Sequence, residues 1–287
     1  MDIVSGEKIQ LIANVNLGYS YDFKNPYIVE NCVNFVDFRC FSEYDNPPLM
    51  FCYGHRIDEL SFHIHKFKNP FILISHNSDY NISDCESTKK IIECKQLIKW
   101  FAQNVEYIHN KLHFLPIGIA NRMWEHGNIS WFENITDFNK EKHVYMNFNI
   151  DTNYELRTNC LNILIYKIDF LPILSPFDNI QLLKRYRFSI CPEGNGLDTH
   201  RLWESLYVKT VPILIKNAFS ENIKNVTNFP MILLDRWEDL DVESLPDYNT
   251  FDFEVCKRFL SFEFYKTTIL ELGFNNFSTS TSTISDV

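Results

Sequence analysis

The chain has 287 residues, of which 45% are hydrophobic and 22% are charged, a composition typical of a globular protein with a buried core. Its formal net charge of -10 argues against nucleic-acid binding, because such proteins usually carry a basic surface that neutralises phosphates. The N-terminus lacks the basic and apolar regions of a signal peptide. No apolar run reaches the roughly 18 residues of a membrane span, so we expect no integral membrane segment.

Short apolar runs alternate with amphipathic stretches in the first half of the chain. The apolar pattern predicts strands at Ile9–Ala13, Leu49–Tyr53, Phe71–Ser75 and His113–Ile117. Near-helical spacing of the apolar residues between Ser87 and Val105 predicts one helix there. The polar segment Asn134–Lys142 has no periodicity and is typical of a linker between domains.

The same pattern restarts after the predicted linker. It predicts, in chain order, a strand at His143–Phe148, helices at Thr152–Cys160 and Asn179–Arg185, a strand at Arg187–Cys191, a helix at Asp198–Val208, strands at Val211–Ile215 and Met231–Leu234, and a helix at Phe251–Leu272. Such alternation indicates βαβ units and largely parallel sheets. We therefore predict an α/β fold of two Rossmann-like domains, residues 1–136 and 137–273, followed by a disordered low-complexity tail at 274–287.

The segment Phe188–Leu214 reads FSICPEGNGLDTHRLWESLYVKTVPIL and predicts a strand, a loop, a helix and a second strand. The loop contains two of the chain's eight glycines, Gly194 and Gly196, and glycine lets a ligand approach the backbone closely. The helix that follows directs free N–H groups and its positive dipole end toward the loop. This arrangement favours the binding of a diphosphate.

The predicted helix in this segment has two different faces. On a wheel of about 100° per residue, Leu202, Trp203 and Leu206 lie together and would pack on the sheet. Arg201 and Glu204 lie on the opposite side, which would face a cleft or the other domain. A guanidinium can fork onto diphosphate oxygens, and a carboxylate can accept hydrogen bonds from ribose hydroxyls. The alternative is a surface ion pair of little energetic weight.

The runs F-S-I-C-P-E-G, R-L-W-E-S-L and V-P-I-L resemble the donor-binding motif of exostosin-like glycosyltransferases. The resemblance implies the GT-B architecture, in which the donor lies between two Rossmann-like domains. It also implies that Arg201 binds the diphosphate of a UDP-sugar and that Glu204 binds the ribose. The sequence departs from the family pattern at Lys209, where a glycine usually ends the helix and provides an easy left-handed cap.

Other donor-binding residues are predicted from their position around this loop. They are Pro192, Glu193, Gly194, Asn195, Gly196, Asp198 and Thr199 in the loop itself, Asn147 at the end of the first strand of the second domain, and Arg157 on the next helix. A solvated helix arginine is an equally good interpretation of Arg157. The segment Leu115–Asn128 would place Asn121 and Arg122 near the domain junction, although a structural turn explains it equally well.

The resemblance implies an inverting, single-displacement transfer, which needs a general base for the acceptor hydroxyl. We expect this base in the first domain, and Asp79, in the loop after the strand FILIS, is the first candidate. His76 is the second and His55 the third. A loop aspartate is more often a turn residue or a helix cap, so these assignments stay open.

No metal or cofactor is expected. The eight cysteines contain no C-x-x-C pair, which favours buried free thiols over a zinc ribbon. The string Asp239-Leu240-Asp241 matches D-x-D, but it lies in an acidic run that is more typical of a solvated surface.

The expected protein is therefore a glycosyltransferase that moves a pentose, hexose or uronate from a UDP-sugar to a glycan acceptor. The alternatives are a fucosyltransferase-like enzyme that uses a GDP-sugar and a non-catalytic sugar-binding protein on the same fold. Animal members of the family are anchored in the Golgi. Because this sequence shows no anchor, we expect a cytoplasmic enzyme of a microbe, or of the host cell if the source is viral.

Overall fold

The computed structural model describes residues 2–28, 32–35, 46–132 and 139–281. The chain divides into two compact units. One comprises Met1–Ile3 and Ile117–Ser261, and we call it the 117–261 unit. The other comprises Val4–Pro116 together with the chain from Phe262 onward, and we call it the 4–116 unit. The division falls at residue 117, whereas the predicted boundary at 136 lies in residues 133–138, outside the described residues.

The 4–116 unit contains a six-stranded sheet in which every pair of neighbours is parallel. Its strands are β1 (Val15–Leu17), β2 (Cys32–Val33), β3 (Leu49–Tyr53), β4 (Phe71–His76), β5 (Leu97–Ala102) and β6 (Leu112–Phe114), in the order β2-β1-β3-β4-β5-β6. Its helices are α1 (Gly6–Gln10), α2 (Ile57–His63), α3 (Glu86–Glu93) and, from the end of the chain, α9 (Phe262–Thr281).

Both faces of this sheet are buried. Along β3, Met50 and Cys52 pack in one apolar cluster with residues of α2 and α3. Phe51 packs in a second cluster on the other face, with Tyr265 and Ile269 of α9. Burial on both faces explains the nearly continuous apolar run of the strand. It also explains why the C-terminal helix belongs to the same unit as the N-terminal half of the chain.

The 117–261 unit contains a four-stranded parallel sheet of order β10-β9-β8-β7. Its strands are β7 (Lys142–Tyr145), β8 (Tyr186–Ile190), β9 (Val211–Ile215) and β10 (Ile232–Leu234), and its helices are α4 (Tyr154–Leu164), α5 (Pro176–Leu183), α6 (His200–Tyr207), α7 (Ala218–Thr227) and α8 (Cys256–Phe259). Its core includes Val144, Phe188 and Ile213 of the strands and Leu164 of α4. The predicted α/β class with parallel sheets is thus confirmed for both units.

Two predicted elements in the first half of the chain are wrong. Residues 9–13 form the end of α1 and a turn rather than a strand, because a short apolar run does not distinguish the two structures. The helix predicted for Ser87–Val105 ends at Glu93, and β5 follows it. Trp100 and Phe101 pack in different clusters on opposite faces of the sheet, which is the alternation of a strand.

The C-terminal tail also differs from the prediction. Helix α9 continues through Thr281, so residues 274–281 are helical, and residues 282–287 lie outside the described residues. The first turns of α9 are fixed in the core by Tyr265 and Ile269. Once a helix has nucleated, adding further residues requires little extra free energy, which lets the polar sequence continue it.

Candidate functional site

The loop Pro192–Thr199 joins the carboxyl end of β8 to the start of α6. It is held internally by a hydrogen bond from the Gly194 N–H to the Gly196 carbonyl, 3.2 Å long. The Asn153 side-chain amide donates to the Gly194 carbonyl at 2.7 Å. Both glycines are buried and Asn195 is exposed. The loop therefore has a fixed shape at the edge of a parallel sheet where ligands commonly bind.

Arg157 on α4 lies beneath this loop and is only 8% exposed. Its Nε donates to the Glu193 carbonyl at 2.8 Å and its Nη1 to the Asn149 carbonyl at 2.7 Å. Its Nη2 lies 3.4 Å from the position that a side-chain carbon on Gly194 would occupy. Within the described residues, no carboxylate lies at ion-pair distance from this guanidinium. Burial, and next the positive charge of Arg201, lower the pKa of Arg157 to about 10.

Arg201 and Glu204 form an ion pair, with 3.1 Å between Nε and Oε2. Their side chains are 16% and 9% exposed, so this is a buried pair rather than a surface one. Burial alone would lower the pKa of Arg201, but the Glu204 carboxylate outweighs it and raises that pKa above its usual value.

The surroundings of Arg201 correct the predicted cleft-facing side of α6. Its Nη1 donates to the Asn147 carbonyl at 2.6 Å, its Nη2 to Asn179 Oδ1 at 3.3 Å, and its guanidinium stacks over the Tyr145 ring. These partners belong to the same unit, and residues 202–207 of the helix are all buried. Glu204 and Arg201 thus already have protein partners, and the contacts of Arg201 with Asn179 and Tyr145 were not predicted from the sequence.

Both carboxylate oxygens of Asp198 accept hydrogen bonds from the protein itself. It is buried, and its Oδ2 accepts the Ile117 N–H at 2.6 Å while its Oδ1 accepts the Trp203 indole N–H at 2.6 Å. Burial raises the pKa of Asp198 to about 7 against the opposing effect of these donors. His200 Nδ1 lies 2.8 Å from the Gly118 carbonyl. The segment after Leu115 is therefore tied to α6.

Of the remaining predicted donor-binding residues, Asn147 is bonded within the protein, whereas Glu193 lines a pocket. The Asn147 amide is used by the Leu171 and Pro172 carbonyls, at 3.2 and 2.6 Å, and Thr199 precedes α6 without a side-chain capping bond. Glu193 accepts a hydrogen bond from the Asn217 amide at 2.7 Å, at the mouth of a pocket. Asn121 and Arg122 belong to the 117–261 unit, not to the first domain as predicted.

A pocket of about 220 Å³ opens at the carboxyl ends of β8, β9 and β10. Its apolar wall includes Leu214, Phe219 and Trp237, and its polar groups include Asn159 and Asn217. The loop residues Pro192 and Glu193 line it as well. Position immediately after predicted strands was the one signal in the sequence that pointed to Asn217 and Trp237.

The three candidates for the base differ in accessibility. His76 is 1% exposed, with Nε2 at 3.0 Å from the Pro116 carbonyl and Nδ1 at 3.3 Å from Asn77 Oδ1, which argues against access to a substrate. Asp79 is exposed in the loop after β4. His55 has a side chain that is 48% exposed, and its Nε2 lies 3.6 Å from Asp22 Oδ1.

The helix end at Lys209 has the geometry that the usual glycine would give. Lys209 has a φ of 55°, and its N–H bonds to the Leu206 carbonyl while the Thr210 N–H bonds to that of Ser205. These two bonds define a Schellman motif with a left-handed residue. The buried Lys140 ammonium supports the same end, donating to the Val208 carbonyl at 2.8 Å. Lys209 therefore provides the left-handed helix cap that a glycine would provide.

Comparison of the chain with protein-family models found no match, and comparison with curated protein sequences found none either. The described residues contain no cluster of three or more histidine, cysteine, aspartate or glutamate side chains that could hold a metal ion. None of the described helices is long and apolar enough to cross a membrane. The buried cysteines Cys52, Cys160, Cys191 and Cys256 are free thiols.

Replacing Lys209 with glycine should stabilise the protein. A non-glycine residue in the left-handed region costs about 1 kcal/mol, so Lys209→Gly should raise the free energy of unfolding by up to that amount. Asn228→Gly is the matched control, since Asn228 also has a φ of 55° at a helix end but asparagine tolerates that region better. Urea denaturation measures both, and a loss of stability in Lys209→Gly would contradict the assignment.

Replacing Asp198 with asparagine should destabilise the protein by about 1–3 kcal/mol. One of the two buried N–H donors would then face the side-chain NH2 group and lose its acceptor. Because the pKa of Asp198 is higher in the folded protein, protonation of this side chain stabilises the fold. The contribution is complete below the usual pKa of 3.8 and is lost as the pH rises through about 7. The stability of the wild type relative to Asp198→Asn should therefore fall between these pH values. The exposed Asp169→Asn is the control in chemical denaturation, and an unchanged pH dependence in Asp198→Asn would refute the assignment.

Proposed function

We propose that the 117–261 unit binds the diphosphate of a nucleotide-sugar and that the protein is a glycosyltransferase. The observation that carries the proposal is the buried guanidinium of Arg157, which has carbonyl partners but no carboxylate partner among the described residues. A buried unpaired cation is costly, and such groups are normally paired with an anion. A diphosphate would supply that anion.

The position of Arg157 supports a phosphate ligand in particular. Its Nη2 points toward the Gly194 backbone, and the N-terminus of α6 follows the same loop. Backbone N–H groups and the positive end of a helix stabilise phosphate oxygens. Arg201 adds a second positive charge nearby, although Glu204 already balances it. The three side chains together carry one net positive charge for the ligand.

The pocket beside the loop has the character of a nucleobase site. Trp237 and Phe219 offer apolar surface, and the Asn217 and Asn159 amides offer both donors and acceptors. At about 220 Å³ it is smaller than the roughly 300–1,000 Å³ typical of whole-ligand sites, which favours a pyrimidine base over an entire nucleotide. This agrees with the UDP that the resemblance to exostosin-like enzymes implies.

In the proposed reaction, an acceptor hydroxyl oxygen bonds to the anomeric carbon while the bond from that carbon to the diphosphate breaks. The electron pair leaves with the diphosphate, and the hydroxyl proton passes to a base. Arg157 and the N–H groups at the start of α6 would stabilise the developing negative charge. A single displacement of this kind inverts the anomeric configuration.

Arg157→Met should weaken UDP binding by about tenfold to a hundredfold, the equivalent of about 1.5–3 kcal/mol for hydrogen bonds to a charged group. The unliganded variant should still fold, because removal of the buried charge offsets part of the cost of losing the two hydrogen bonds to the Glu193 and Asn149 carbonyls. Isothermal titration calorimetry and thermal melts measure the two effects. The control is Arg185→Met, which removes an exposed arginine paired with Glu141 in the same unit. Equal UDP affinity in the two variants would reject the diphosphate site.

Nucleotide release from a panel of UDP- and GDP-sugars tests the activity itself. We expect release from at least one UDP-sugar and no release by Arg157→Met. Release from GDP-sugars alone would favour a fucosyltransferase-like enzyme. Binding of nucleotides without release from any donor would favour a sugar-binding protein, and neither binding nor release would refute the proposal.

A further inference from the structure

The sheet of the 4–116 unit reverses its strand order at β1. The strand after it, β2, pairs with β1 on one side, and the next strand, β3, pairs with β1 on the other side, so the order of the strands reverses there. In open parallel sheets, the carboxyl edge at such a switch point is where ligands bind. The residues that follow the two strands there are Gly18–Asp22 and Gly54–Arg56.

A buried ion pair joins these two loops. The side chain of Asp22 is 4% exposed and accepts hydrogen bonds from Arg56 Nη2 at 2.8 Å and from Arg56 Nε at 3.1 Å. The Tyr19 N–H donates to the same carboxylate at 3.0 Å. Burial by itself would raise the pKa of Asp22, but the Arg56 guanidinium outweighs it and keeps that pKa below its usual value. Asp22 is therefore a fixed negative charge inside the edge of the sheet.

His55 lies in front of this carboxylate and is half-exposed. Its Nε2 faces Asp22 Oδ1 at 3.6 Å, and its ring packs on that of Tyr53. A carboxylate on one ring nitrogen favours the tautomer with its proton on that side. Nδ1 is then an acceptor, and no described residue donates a hydrogen bond to it. The histidine is oriented to accept a hydrogen bond from outside the protein.

Two tyrosine rings lie at the same edge. Tyr19 and Tyr21 stack with 5.2 Å between ring centroids and an interplanar angle of 6°, and Arg56 covers both. Tyr19 is also held by a hydrogen bond from its hydroxyl to Glu59. Tyr21 is 60% exposed. The exposed Tyr21 ring, held by its stacking on Tyr19, thus lies at the same edge as the His55 imidazole.

The charges at this edge select against a phosphate. Asp22 and Glu59 contribute two negative charges and Arg56 one positive charge, so these three side chains are together net negative. This net negative charge of about one unit would repel an anionic ligand at close range. A neutral ligand with an apolar ring face and several hydroxyls matches both the tyrosine and the imidazole.

We propose that this edge of the 4–116 unit is a saccharide-binding site, in which a sugar ring packs on Tyr21 and a sugar hydroxyl donates to Nδ1 of His55. Asp22 and Arg56 are positioning residues that fix both contacts. Only the assignment of this sugar as the glycan acceptor rests on the proposed function. The binding site itself does not depend on the nucleotide.

Saturation-transfer NMR with xylobiose, cellobiose, lactose, chitobiose and mannobiose tests the proposal on the full chain. We expect at least one disaccharide to bind, and Tyr21→Ala and His55→Ala each to weaken it about threefold to tenfold. Both side chains are well exposed, so the variants should fold, and thermal melts check this. Tyr166→Ala removes an equally large exposed ring of the other unit and should change nothing.

The two proposals fail separately in this design. Tyr21→Ala should keep its affinity for UDP, and Arg157→Met should keep its affinity for the disaccharide. Absence of binding to every disaccharide by the wild type would overturn the saccharide site, as would binding that survives both Tyr21→Ala and His55→Ala. If the wild type does not bind UDP, the proposed function is overturned and the saccharide result still stands.

Discussion

The buried guanidinium of Arg157 is the constraint around which the loop after β8 is built. Its two hydrogen bonds, to the carbonyls of Glu193 and Asn149, connect this loop to the segment that precedes α4. The two carbonyl oxygens accept from Nε and Nη1 but do not neutralise the charge, so the electrostatic cost of burial persists. Under the proposed function, a diphosphate would supply the missing negative charge.

Two other buried ionisable groups in the same unit show a contrast, because burial shifts the pKa of both Lys140 and Asp198 to about 7 while that of Arg157 stays at about 10. Asp198 meets two N–H donors and thereby fixes Ile117 and Trp203 against the start of α6. Lys140 donates to the Val208 carbonyl and to the Thr210 hydroxyl at the other end of that helix. Both side chains hold the helix in place at its ends. Both can become neutral near pH 7, whereas Arg157 keeps its charge, so they explain the position of the loop without indicating a charged ligand.

The sequence predicted those parts of the fold that local patterns determine. The short apolar run Val211–Ile215 predicts a strand in an alternating α/β chain, and the structure places β9 at these residues. Residues 97–102 fit a helical period by coincidence, and their pairing with β4 and β6 makes them a strand. Arg201 and Glu204 were predicted as neighbours, and they are. The contacts of Arg201 to Asn147 and Tyr145 depend on tertiary packing that no spacing reveals.

The geometry also changes which arginine we expect to contact a diphosphate, compared with the motif that resembles exostosin-like enzymes. Arg201 is held by Glu204, by the Asn147 carbonyl and by Asn179, so a diphosphate there would have to compete with three existing interactions. Arg157 would gain a charge partner and lose none. The positive charge of Arg201 still acts on it, since it lowers the pKa of Arg157. Under the proposed function, Arg157 would therefore make the first contact to a diphosphate, with Arg201 and Glu204 shaping the electrostatic field around it.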